Sequence, residues 1–144
     1  MRAQNRLAAP GRRAGGAAGL TGTGYWVPEL IDLAGGVPLF GKTARRAPRL
    51  TWPELLAADP DVVIAVPAGD SPAGRREIAG FLEVAAGRGL RALRESRLYL
   101  LDAEPLLLRA GPRLLQGLEA LAEAIHPEAF RLGQEGSALQ PVRP

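Results

Sequence analysis

The sequence predicts an α/β fold with a small, mainly parallel sheet flanked by helices, and three observations predict it. Two short apolar runs, Asp61-Val62-Val63-Ile64-Ala65-Val66 and Arg97-Leu98-Tyr99-Leu100-Leu101-Asp102, are bounded by turn residues. Runs of this length, rich in β-branched or leucine residues, are the pattern of strands buried on both faces. A helical stretch separates them, and strand–helix–strand order joins parallel strands by a right-handed crossover. Finally, capping signals mark helices before the first run and after the second.

The elements follow in order. Met1–Gly22 is rich in Ala, Gly and Arg without periodicity, and residues 1–23 are expected to be a disordered tail. The composition changes at Tyr25-Trp26. Val27–Ala34 reads as a short helix: Pro28 suits the first turn, Glu29 suits its positive end, and Gly35-Gly36 ends it. Leu30, Ile31, Leu33 and Ala34 form its apolar face, and Val37–Phe40 follows as a short strand. Thr51-Trp52-Pro53-Glu54 is a capping box for a brief helix that Asp59-Pro60 stops. After the first apolar run, Pro67-Ala68-Gly69-Asp70 forms a loop and Ser71-Pro72 begins a helix carrying Ile78, Phe81, Leu82 and Ala85. The last helix starts at Pro112 and repeats Leu114, Leu118, Leu121 and Ile125 on one face, widened by Leu115 and Ala122. His126-Pro127 ends it. From Gln134 onward no pattern remains, so residues 131–144 are expected to be a second disordered tail around a domain at 24–130.

Charge and composition exclude several functions. The chain has 144 residues, a formal charge of +3 and 47% hydrophobic residues. Residues 1–20 hold +4 of that charge through Arg2, Arg6, Arg12 and Arg13, leaving the remainder near neutral. A nucleic-acid-binding fold carries its charge on a structured face with interleaved aromatics, so no nucleic-acid partner is expected. Without cysteine there is no disulfide or thiolate site. Neither a signal peptide nor a membrane-spanning run is present, so as written the chain would stay in the cytoplasm.

The search for chemistry returns little. Gly36-Val37-Pro38-Leu39-Phe40-Gly41-Lys42-Thr43 matches the phosphate-loop pattern, and a small nucleotide-binding protein using it is the alternative function. That chemistry needs a strand before the loop and a helix after it. Here a helix precedes it, and Ala44–Arg49 has no amphipathic pattern. His126, the sole histidine, reads as a helix C-terminal cap rather than a ligand or base. No serine is set with a base, and carboxylates do not cluster at metal-ligand spacing, so neither a metal site nor catalysis is expected. Asp102 and Glu104 end the second strand, and Pro67–Asp70 follows the first. Both positions are solvated junctions or ligand contacts, because ligands of α/β sheets lie beyond the carboxyl ends of strands. The pair Tyr25 and Trp26 packs in the core or stacks on a flat ligand.

Four blocks carry a resemblance: Gly24–Leu30 with Leu33–Gly36, Leu50–Ile64, Arg97–Ala103 and Arg109–Leu114. Over about 105 residues they resemble the C-terminal lobe of the cobalamin- and ferric-siderophore-binding proteins of type II ABC importers, most of all the corrinoid branch. The resemblance implies one Rossmann-like lobe of a bilobed, extracytoplasmic binding protein that holds a metal chelate between its lobes. It implies binding without catalysis, no resident cofactor, and partners comprising the importer's permease and a separate N-terminal lobe, with no membrane insertion. The positions that match the family's cleft are Tyr25, Trp26, Pro67, Ala68, Gly69, Asp70 and the stretch from Glu104 through Leu106 to Arg109. Glu54 matches the permease-docking acid, shifted by one because Pro53 stands where the acid is expected. The loop at Ala68-Gly69 also departs from the corrinoid branch, which often has a polar or sulfur-bearing residue there. The family's first lobe and the first, central strand of the second lobe are expected upstream of Gly24, where an Arg/Ala/Gly stretch stands. The expectation is a truncated or frameshifted product.

Overall fold

The computed structural model describes residues 6–8, 20–66, 72–102 and 106–143. In chain order the elements are β1 (Arg6–Ala8), β2 (Leu20–Thr21), α1 (Val27–Leu33), β3 (Val37–Pro38), β4 (Arg49–Leu50) and α2 (Trp52–Ala58). They continue with β5 (Val62–Ala65), α3 (Pro72–Gly87), α4 (Arg91–Arg94), β6 (Leu98–Leu101), α5 (Leu114–Ile125) and β7 (Leu139–Val142). The main sheet has the order β3-β1-β5-β6-β7, and a separate ribbon pairs β2 with β4. The β1–β3, β1–β5 and β5–β6 pairs are parallel; β7 closes the sheet antiparallel to β6. The predicted α/β class holds.

Alternation along the two central strands makes three layers. Val62 and Ile64 of β5, with Tyr99 and Leu101 of β6, pack against Ile31 of α1 and Leu121 and Ile125 of α5. Val63 and Leu98 face the other way, onto Leu55, Ala85, Leu90 and Leu93 from α2, α3 and the α4 region. A side-chain period of two is what lets one strand serve both layers. Burying each large aliphatic side chain contributes roughly 1.5–3 kcal/mol.

The structure corrects the sequence reading at both ends. Arg6–Ala8, expected to be disordered, forms the strand between β3 and β5, so the central place expected to be empty is filled. Residues 139–142, also expected to be disordered, form β7, with Leu139 fully buried. A carboxylate holds this segment in place. Glu123 of α5 is 6% exposed and accepts the amides of Leu132, Gln134 and Glu135 at 2.9, 3.1 and 3.0 Å. Burial alone would push its pKa up, but the three amide donors together outweigh it and hold the carboxyl below the ordinary glutamate range. Gln134 is further bound through Gln116 and Glu119. Within α1 and α5, Leu33 and Leu115 are exposed instead of apolar-face residues, because Val27 and the small Gly117, Ala120 and Ala124 take the buried positions.

Candidate functional site at the carboxyl edge of the sheet

Topology decides where a site belongs. The chain passes from β1 to β3 on one side and then to β5 on the other, so its direction of travel reverses at β1. Ligands of such sheets lie beyond the carboxyl ends of the strands at that reversal. Because β5 and β6 are parallel, the loops after Val66 and after Asp102 leave by this same edge. Pro67, Ala68, Gly69 and Asp70 of the first loop, and Glu104 of the second, lie outside the described residues.

Tyr25 and Trp26 come to this edge through α1. Three residues separate the end of the helix from the start of β3, at the amino edge, and its seven residues set its start about 10 Å toward the carboxyl edge. The Trp26 indole Nε1 donates to the Leu107 carbonyl at 2.6 Å, tying the start of α1 to the segment after β6. A partly buried indole needs such an acceptor, and here it comes from 81 residues away in sequence. The Tyr25 ring lies 6.1 Å from that of Trp26, tilted by 44°.

Tyr25 is held in an unusual way. Its φ is +57°, the left-handed region, and its side chain is 56% exposed, forming no hydrogen bond with a described residue. For a bulky residue this conformation costs about 1–2 kcal/mol. It persists because both backbone groups are engaged: the Tyr25 amide donates to the Arg45 carbonyl and the Ala44 amide donates to the Tyr25 carbonyl, each at 2.8 Å. Ala44 is itself left-handed, at φ +60°. The neighbouring contacts admit only glycine. A Cβ on Gly24 would lie 2.5 Å from the Ala47 nitrogen, and one on Gly41, at φ +147°, would collide with the Thr23 carbonyl. The result is an exposed phenol fixed over a rigid backbone zipper, and strain of this kind concentrates at functional sites.

The segment after β6 contributes unevenly. Leu106, predicted to face the ligand, is 4% exposed and packs in the core with Leu107. It supports the edge from beneath. Leu108, at 56% exposure, and the exposed Arg109 are the outward positions. Spacing alone hid this exchange, because a buried leucine and an exposed one look the same in a turn.

Glu54 sits apart, in the predicted capping box. Its carboxylate accepts from the Thr51 amide at 2.7 Å and from the Thr51 hydroxyl at 2.8 Å, while the hydroxyl accepts from the Glu54 amide at 3.4 Å. The Thr51 hydroxyl first, and its amide second, hold the Glu54 carboxyl below the ordinary range. His126 contacts the Gly35 carbonyl through Nε2 at 3.1 Å and joins the ends of α5 and α1 at the amino edge. Among the described residues no group of three or more His, Cys, Asp or Glu could hold a metal ion.

The phosphate-loop match does not fold as one. Its middle is β3, its approach is α1, and a turn leading to β4 follows where a helix is required. β4, not a helix, is the next element after Gly36–Thr43, so the nucleotide-binding alternative loses the helix N-terminus that its loop requires.

The fold is that of known binding proteins. Over 98% of its length the chain superposes on 49% of a periplasmic heme-binding protein from Pseudomonas aeruginosa, with a TM-score of 0.70 and 26% identity. The chain has the fold of one lobe of a periplasmic binding protein. Over 89% of its length it also matches 46% of the periplasmic vitamin B12-binding protein BtuF of Vibrio cholerae, with a TM-score of 0.66 and 19% identity. A 42-residue stretch, 29% of this chain and 13% of the other, is 43% identical to YvrC of Bacillus subtilis (strain 168), an uncharacterized substrate-binding lipoprotein of an ABC transporter. The chain spans about half the length of the solved relatives. No protein-family model matches it. These relatives are binding proteins, YvrC that of an ABC transporter, and no helix among the described residues is long and apolar enough to cross a membrane.

Proposed function

We propose that the chain forms one wall of the ligand cleft of an extracytoplasmic substrate-binding component of an ABC importer, and that it binds a planar metal chelate of the corrinoid or tetrapyrrole type without chemistry. The observation that carries this reading is the exposed Tyr25, held left-handed beside Trp26 at the carboxyl edge. A flat aromatic ligand gains most from rings presented rigidly, because little side-chain freedom is lost on contact. The metal arrives in its chelate, so the reading asks for no cluster of protein ligands, and none occurs among the described residues. The opposite wall comes from a second lobe, and Glu54, exposed at the start of α2, is the residue we assign to permease contact.

Tryptophan fluorescence tests the reading. Trp52 lies in the opposite layer, stacked on Phe81, so a Trp52→Phe variant leaves Trp26 as the sole indole reporter. Titrated with cobalamin or hemin, this variant is expected to show saturable quenching that Tyr25→Ala weakens by about tenfold, the worth of one aromatic pair. Quenching that is linear in ligand and indifferent to Tyr25 would remove the proposal.

A further inference from the structure

The zipper that fixes Tyr25 also holds a concentration of positive charge. Lys42, Arg45, Arg46 and Arg49 are all exposed, and no Asp or Glu occurs between Asp32 and Glu54. None of the four forms an ion pair with a described residue, in contrast to Arg91 at the amino edge, which engages Asp59, Asp61 and Glu95. The turn that carries them is not free to spread. Backbone bonds from Gly22 to Pro48, Thr23 to Phe40, Tyr25 to Arg45 and Ala44 to Tyr25 pin it along its length. Like charges confined without an acidic partner among the described residues make a local positive potential that draws anions to that spot. The turn leaves β3 at the carboxyl edge and touches Tyr25 directly, so the potential falls on the proposed ligand site.

We propose that the turn Lys42–Arg49 is an anion-recognising rim of the ligand site, selecting chelates that carry carboxylate or phosphate substituents over neutral ones. The ring system lies against Tyr25 and Trp26, and the guanidinium groups take the peripheral anions, a pairing suited to Arg because its planar fork matches both oxyanions. This rests on the function proposed for the same site and adds the charge of its ligand. It also gives Lys42, the lysine of the unproductive phosphate-loop match, a place in anion binding.

The test compares hemin, whose propionates are ionised, with its dimethyl ester, at low and high salt. The proteins are the parent chain, Arg45→Gln/Arg46→Gln, and Arg94→Glu, which makes the same change in net charge at an exposed position of α4 at the amino edge. The parent is expected to bind hemin about tenfold more tightly than the ester. Arg45→Gln/Arg46→Gln should lose that preference, Arg94→Glu should keep it, and high salt should erase it. Equal affinity for the two probes, or a preference that survives the double substitution, overturns the rim while leaving chelate binding standing. Failure of the parent to bind either probe overturns both.

Discussion

The two edges of the main sheet are built in opposite ways, and two left-handed residues make the contrast plain. At the amino edge Asp59 has φ +43°, but every consequence of that conformation is offset. Arg91 donates to both of its carboxylate oxygens at 2.9 Å and to its carbonyl at 3.0 Å, then reaches Asp61 at 2.7 Å and Glu95 at 3.3 Å. These acids, Asp61 first and Asp59 second, push the Arg91 pKa above its ordinary value. Nearby, Arg97 donates to the Ile125 carbonyl and His126 meets Gly35. At the carboxyl edge Tyr25 has φ +57° and its backbone is satisfied, yet the side chain stays exposed beside cations that form no ion pair with a described residue. Strain at the amino edge is absorbed into a closed network. At the carboxyl edge it holds a ring toward solvent, as the proposed binding surface requires.

Substitutions should sharpen or break this contrast, and the largest effects belong to the closed parts. Ile125→Ala removes a fully buried side chain between α5 and the sheet and should lower stability by about 3 kcal/mol in urea titration. Affinity at Tyr25 should not change once the folded fraction is accounted for. Glu123→Gln leaves three backbone amides without their anionic acceptor and should cost about 2 kcal/mol at neutral pH. The sign of its pH dependence follows from the lowered carboxyl. The stabilisation is complete above the ordinary glutamate range and disappears as pH falls through the depressed value, so parent and variant should converge in acid. Equal urea midpoints at neutral pH would contradict the role given to Glu123. Arg91→Ala should cost about 1 kcal/mol, reduced by solvent screening, and should leave ligand affinity intact.

The layers of the fold were legible in sequence because their signals are local. The capping box at Thr51–Glu54, the stop at Asp59-Pro60 and the apolar runs of β5 and β6 each lie within a few residues. Both missed strands depend on distant partners. Arg6–Ala8 is three residues long in an Arg/Ala/Gly context, too short for any period, and pairing with β3 and β5 defines it. Leu139–Val142 contains Pro141 and follows two glycine turns, and what fixes it is distant in sequence: Glu123 bonded to residues 132–135 and the pairing with β6. At the candidate site, the density of Tyr25 and Trp26 singled out a pair that the structure sets together beside the segment after β6. The left-handed backbone of Tyr25 left no trace in sequence, because its glycine partners and Ala44 meet it through tertiary contact.

Tyr25→Gly, measured by urea midpoint with and without hemin, tests the central claim most directly. Glycine accepts the left-handed conformation freely, so without ligand the variant should match or exceed the parent by up to about 1 kcal/mol. With ligand the parent's midpoint should rise, as mass action requires of any ligand bound by the folded state, and the variant's should rise less. A variant less stable than the parent without ligand would show that Tyr25 is a packing residue. A parent midpoint that hemin leaves unmoved would show that the carboxyl edge is not the binding surface described here.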